Sequence, residues 1–245
     1  MVRTLLSFAA LLALAVSCTP VAVTTEVGYA RLRLGGDLSL TTGSNSNAQD
    51  VESAFGLGSD RDCPYARVLA DFGLPEFGVA GFLLREEGTG VLTDDFGALP
   101  AGTPVATRLE LGNAKCTAAL GFAVGPLTVA PGLLFDVFAI DFRATSAGNA
   151  ELVDDVVAVP MPFVRVGLPL GALRANAEIG YLDVPGGRGR FADMEAMLTW
   201  EPTSNVQLFG GWRLLSADAE GDTGADTVGI DLRVSGWFAG VGLRF

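Results

Sequence analysis

The chain has 245 residues, 28 of them acidic and 16 lysine or arginine, giving a formal net charge of −12 with no histidine. This charge argues against a nucleic-acid partner held through its phosphates, and the missing imidazole excludes His-based catalytic triads and His-ligated metals. Mean hydropathy is +0.41, yet the only continuous apolar run, Leu5 to Val16, falls short of the roughly 18 residues that a spanning helix needs.

Arg3, that apolar run and the small residues Ala15-Val16-Ser17 have the layout of a secretory signal over 1–17. Ala15-Val16-Ser17-Cys18 resembles a bacterial lipobox, with Ala15 where family members usually carry leucine. The resemblance implies lipidation of Cys18; ordinary cleavage nearby, with Cys18 incidental, is the alternative. Residues 18–25 form a tether, and 26–245 a single domain. With Cys18 set aside, Cys63 and Cys116 remain, either as a disulfide or as two separate thiols.

Ten strands are expected, over 26–40, 63–73, 76–86, 104–124, 127–145, 156–168, 172–184, 191–201, 205–217 and 227–245. Gly73-Leu74-Pro75, Val124-Gly125-Pro126, Leu168-Pro169-Leu170-Gly171 and Pro202-Thr203-Ser204 carry tight-turn chemistry. Between them lie longer, polar and mostly acidic connections over 41–62, 87–103, 146–155, 185–190 and 218–226. An even number of strands, with short and long connections alternating, is the pattern of an all-β, antiparallel up-and-down transmembrane β-barrel of about ten strands.

Several strands alternate cleanly. Leu173, Ala175, Ala177, Ile179 and Tyr181 oppose Arg174, Asn176, Glu178 and Gly180, and Ala192, Met194, Ala196, Leu198 and Trp200 oppose Asp193, Glu195, Met197 and Thr199. With the apolar set towards lipid, the charges fill the lumen. Tyr181, Trp200, Trp212 and Phe245 then read as interfacial aromatics.

The chain ends Trp237-Phe238-Ala239-Gly240-Val241-Gly242-Leu243-Arg244-Phe245, with Trp237, Val241, Leu243 and Phe245 on one face. This segment resembles the C-terminal assembly signal of the bacterial outer-membrane β-barrel superfamily. The resemblance implies an outer-membrane location, the outer-membrane insertion machinery as a partner, and membrane lipid and lipopolysaccharide as surroundings. Val228, Ile230, Leu232 and Val234 fall in the opposite phase, so a bulge is expected near Gly236.

Pairing the last strands through Thr203 and Asp222 sets Asp193 and Asp231 either side of Arg213, with Glu195 and Arg233 extending the network. Tyr29, Arg31 and Arg33 are expected in the lumen near Gly240 and Gly242. Buried charges of this kind must be paired, so the network reads as a plug. The omptin proteases, ten-stranded members of the superfamily, use an Asp–His pair that this sequence cannot supply. No catalytic, cofactor or dedicated metal constellation is found; Asp94-Asp95, Asp154-Asp155 and Asp222 to Asp226 lack calcium-loop spacing and read as a solvated anionic surface. Gly186-Gly187-Arg188-Gly189-Arg190 lacks a phosphate-loop pattern and reads as a hairpin loop. The expectation is a non-enzymatic barrel with a charge-plugged lumen and a structural or surface-interaction role. A narrow channel and a soluble ligand-binding lipoprotein barrel are the alternatives.

Overall fold

A computed structural model describes residues 21–42, 48–184, 189–223 and 226–245, with the side chains of 41, 42, 220–223 and 226–228 outside that description. The leader, Cys18, Gly186 to Arg188 and the side chains of Asp222 and Asp226 therefore lie outside the described residues. In chain order the strands are β1 (Ala22–Thr42), β2 (Ala48–Asp50), β3 (Arg61–Asp71), β4 (Pro75–Val91), β5 (Pro104–Leu120), β6 (Phe122–Val124), β7 (Leu127–Ser146), β8 (Asn149–Leu170), β9 (Leu173–Val184), β10 (Gly189–Trp200), β11 (Val206–Thr223) and β12 (Asp226–Arg244). Ten are long, and each long strand pairs antiparallel with its neighbours; β12 pairs back onto β1, closing the barrel. β2 and β6 are three-residue additions at the two ends.

The register fixes the slope of the wall. The pairing row through Val27 reaches β8 at Ala158 by way of β3, β4, β5 and β7. By way of β12, β11, β10 and β9 it reaches β8 at Leu170. A stagger of twelve residues around ten strands sets the strands at about 40° to the barrel axis.

The start of β1 and the end of β12 lie at the end with the tight turns, where Val23 and Phe245 exchange backbone hydrogen bonds. The other end differs from expectation. Segments 146–155 and 218–226 are mostly strand rather than loop: β7 and β8 pair up to Ser146–Asn149, and β11 and β12 up to Thr223–Asp226. The barrel therefore stands taller than its apolar exterior.

That height explains a change of faces along each strand. Near the turn end, outward positions are apolar: Val27, Val79, Leu133, Ile179, Leu198, Val241. An upper rim of Tyr29, Phe135, Tyr181 and Trp237 and a lower one including Trp200 and Phe245 bound this band, as membrane barrels require. Beyond the upper rim the outward positions become charged, with Arg31, Arg33, Arg85 and Arg233 exposed, while the inward positions become apolar, with Leu32, Leu34, Leu84 and Leu232 buried. Ile230, Leu232 and Val234 thus face inwards in the same phase as Phe238, and the ladder runs through Gly236 without the expected bulge. Gly236 serves close approach instead: a Cβ there would collide with the Arg31 carbonyl oxygen.

The first long connection is a cap rather than a free loop. Asp50 Oδ1 accepts from the Ser53 N–H and hydroxyl, both at 2.7 Å, and starts a helical turn over 51–55. That turn buries Val51, Ala54, Phe55 and Leu57 inside the mouth, where Phe55, Phe96 and Phe142 pack edge to face with ring centroids 5.0 to 5.9 Å apart. Gly88 and Gly90 of β4 let the cap lie against the wall, since a Cβ at either would meet its backbone.

Candidate functional site: a charge belt across the lumen

At the level of the apolar exterior the lumen is filled by charge. The belt holds the buried cations Arg67, Lys115, Arg165 and Arg213 and the buried carboxylates Glu26, Asp136, Glu178, Asp193 and Glu195. Each comes from an inward position of a strand whose neighbouring residues face outwards, as Lys115 does between Ala114 and Cys116.

Glu178 on β9 is the hub. Its carboxylate accepts from Arg67 on β3 across the lumen, from Lys115 Nζ on β5 at 3.0 Å and from Arg165 Nε on β8 at 2.7 Å. Glu195 on β10 accepts from Arg67 Nη1 at 2.8 Å and from Lys115 at 3.3 Å. Arg213 on β11 donates to Asp193 and to Asn113 Oδ1 at 2.9 Å, and Asn113 in turn donates to Asp136 on β7 at 3.1 Å. Gln207 donates to Glu26 at 2.6 Å. The belt ties β1, β3, β5, β7, β8, β9, β10 and β11 together from wall to wall. Its guanidinium groups also stack, Arg213 over Phe82 at 5.4 Å and Arg165 over Phe163 at 5.5 Å.

Towards the turn end lies a polar vestibule of about 220 Å³, reached by Glu26, Arg67, Glu76, Arg165, Asn176 and Gln207. Its floor is the belt, where Arg165 Nη1 bonds Glu76 at 2.8 Å.

No family model matches the chain, and no curated protein does. Among solved structures, the outer membrane protease OmpT from Escherichia coli superposes with a TM-score of 0.62 at 10% identity, over 95% of this chain and 99% of that one. The chain has the fold of the bacterial outer-membrane β-barrels. Two further outer-membrane barrels overlap less. The translocator domain of the autotransporter NalP from Neisseria meningitidis has a TM-score of 0.39 at 15% identity, over 100% of this chain and 95% of that one. Ail, the attachment invasion locus protein of Yersinia pestis, has 0.35 at 10%, over 91% and 98%.

The barrel brings Asp193, Glu195 and Arg213 into the lumen, but not the other members of the expected network. Arg31, Arg33, Asp231 and Arg233 face outwards above the upper rim, as does Tyr29 at that rim. Arg31 lies 3.6 Å from Asp60, and Arg33 donates to Glu52 at 2.8 Å. The registers differ too, because the hairpins close later than Thr203 and Asp222. Arg213 stands opposite Glu195 on one side and Gly236 on the other, reaching Asp193 diagonally, while Asp231 pairs with Asp218.

Cys63 and Cys116 are free thiols. Cys63 is buried on the inner face, and Cys116 lies on the outer face between Val79 and Phe135, so the wall separates them. Trp237, Val241, Leu243 and Phe245 all lie exposed on one outer face of the last strand and the residue after it. Arg67, Lys115, Arg165, Glu178, Glu26 and Asp136 are belt members that sequence reasoning did not place in the network.

Proposed function

We propose that this barrel sits in a bacterial outer membrane with its tight turns towards the periplasm, is closed by its own charge belt, and works through its extracellular half rather than by conduction or catalysis. The belt carries the reading: ion pairs spanning the lumen at the level of the apolar exterior leave the barrel no wide aqueous path. The apolar outer band argues against a soluble lipoprotein barrel, which needs a polar exterior. Against catalysis stand the absence of histidine from the chain and the engagement of Glu178, Asp193 and Glu195 in ion pairs with arginine or lysine, which occupies their oxygens. A lipid at Cys18 would add a second attachment at the turn end, and the outward Trp237, Val241, Leu243 and Phe245 fit a last strand read by the insertion machinery.

Planar-bilayer recording of the refolded chain tests the closure. The wild type is expected to be silent, and Lys115→Ala/Arg213→Ala to give discrete steps. Regular conductance steps from the wild type would overturn the plugged reading in favour of a narrow channel.

A further inference from the structure

The wall is not zipped along its full height. β8 pairs with β9 only from Phe163 to Leu170, whereas its ladder with β7 continues to Asn149. Residues 149–162 of β8 are therefore paired on one edge alone. β9 and β10 end at Val184 and Gly189, well below the tips of the β7–β8 and β11–β12 hairpins. Among the described residues, an open seam between β8 and β9 thus widens into a notch.

Pro160 and Pro162 give the seam a cause. Neither has an N–H, and being two residues apart they remove donors from the same edge of the strand. The ladder with β7 runs unbroken through both, pairing them with Phe135 and Leu133, so the edge that lacks donors is the one towards β9.

An apolar track climbs to this seam. On β1, β9 and β10 the outward positions turn charged just past the aromatic rim, at Arg31, Asp183 and Arg190. On β7 and β8 they stay apolar for two more pairs, Val137 with Ala158 and Ala139 with Val156, before Asp141 meets Asp154. Behind the notch, above the belt, is a cavity of about 80 Å³ lined by Phe138, Ile140, Val157, Phe191, Leu215 and Ile230 among others. A smaller hollow of about 20 Å³ adjoins it through Ile140, Ile230 and Leu232. No charged side chain among the described residues lines the larger cavity. Such a space stays dry and takes apolar ligands.

We propose that this cavity binds the end of an alkyl or acyl chain, which reaches it sideways through the β8–β9 seam. The route rests on the membrane reading above; the cavity does not. The full chain, in lipid-free amphipol, is titrated with a fluorescent polyene fatty acid and competed with decane and dodecanoate. Saturable one-to-one binding displaced by both competitors is expected, weakened at least tenfold by Ala217→Phe or Ala219→Leu, which fill the cavity. Heat-dependent gel mobility reports that each variant remains a folded barrel. Absence of saturable binding to the wild type, or binding unaffected in variants that fold, would overturn the cavity. Repeating the titration in nanodiscs separates the sources: bilayer acyl chains as ligand would weaken the probe at least tenfold, and free fatty acid as ligand would leave it unchanged. For the route, Pro162→Cys/Tyr181→Cys, in a chain carrying Cys18→Ser, Cys63→Ser and Cys116→Ser, allows the seam to be bridged. Uptake of probe from vesicles should slow at least tenfold on oxidation and recover on reduction; a rate indifferent to the bridge would refute lateral access. A barrel that inserts and shifts on gels yet binds nothing would refute the cavity while leaving the membrane reading intact.

Discussion

Arg213 is the belt residue whose loss is easiest to weigh. Its side chain and that of Asp193 are buried, at 3% and 0% exposure, so removing the cation leaves a carboxylate without its main partner in a poorly solvated space. Arg213→Leu should cost about 3–5 kcal/mol, the usual penalty for halving a buried pair. Arg213→Leu/Asp193→Leu should recover part of it, because the carboxylate bonded to Arg213 is removed too, while Asp136, 3.7 Å from the guanidinium, still loses its cation. Urea unfolding followed by tryptophan fluorescence measures both; a single variant as stable as wild type would mean that water reaches the belt freely. Asp50 gives a test outside the membrane. The Ser53 hydroxyl and N–H hold its carboxyl below the ordinary range. The fold therefore favours the ionised form, contributing fully above the unfolded value of about 4 and progressively less as pH falls through the lower folded value. Ser53→Ala should move the Asp50 titration upwards, as read by carboxyl-carbon NMR, and an unmoved titration would contradict the cap geometry.

Among the elements, the cap depends on glycine. Gly88→Ala places a methyl group against the backbone of the cap at Gly56, and Gly90→Ala one against Ala54. Either should displace the cap while the barrel persists, so limited proteolysis should cut within 51–60 in the variants with the gel shift unchanged. Protection equal to wild type would show that the cap is held elsewhere. The ten long strands were legible in the sequence because alternation and turn chemistry agree at nearly every turn-end hairpin. Their upper halves were not. Segments such as Glu151 to Asp155 are rich in charge, as loops are, and nothing local marks where the apolar exterior ends. The same ambiguity divided the lumen charges. Arg67 lies between Ala66 and Val68, and Arg31 between Ala30 and Leu32, yet Arg67 faces in and Arg31 faces out. Height in the barrel decides between them, and height follows from registers that a one-residue error in a turn displaces. The cap did leave a trace in the spacing of Val51, Ala54 and Phe55, a helical spacing inside an otherwise polar connection.

For the whole molecule, the proposed membrane setting puts two environments on one continuous wall. Where lipid surrounds the barrel, apolar side chains go out and the lumen takes the charge, which must then be paired. Where water surrounds it, charge goes out and the lumen becomes an ordinary apolar core, sealed on one side by the cap and left with a cavity at the β8–β9 seam. The faces thus exchange at a single level of the wall. Site-directed spin labelling along β1 tests this exchange, using single cysteines at Val27, Tyr29, Ala30, Arg31, Leu32 and Arg33 in a chain carrying Cys18→Ser, Cys63→Ser and Cys116→Ser, inserted in bilayers. Labels at 27 and 29 should collide with oxygen dissolved in lipid, labels at 31 and 33 with a water-soluble nickel chelate, and labels at 30 and 32 with neither. A lipid signature at 31 and 33, or a lumen signature there with 30 and 32 exposed, would contradict the account.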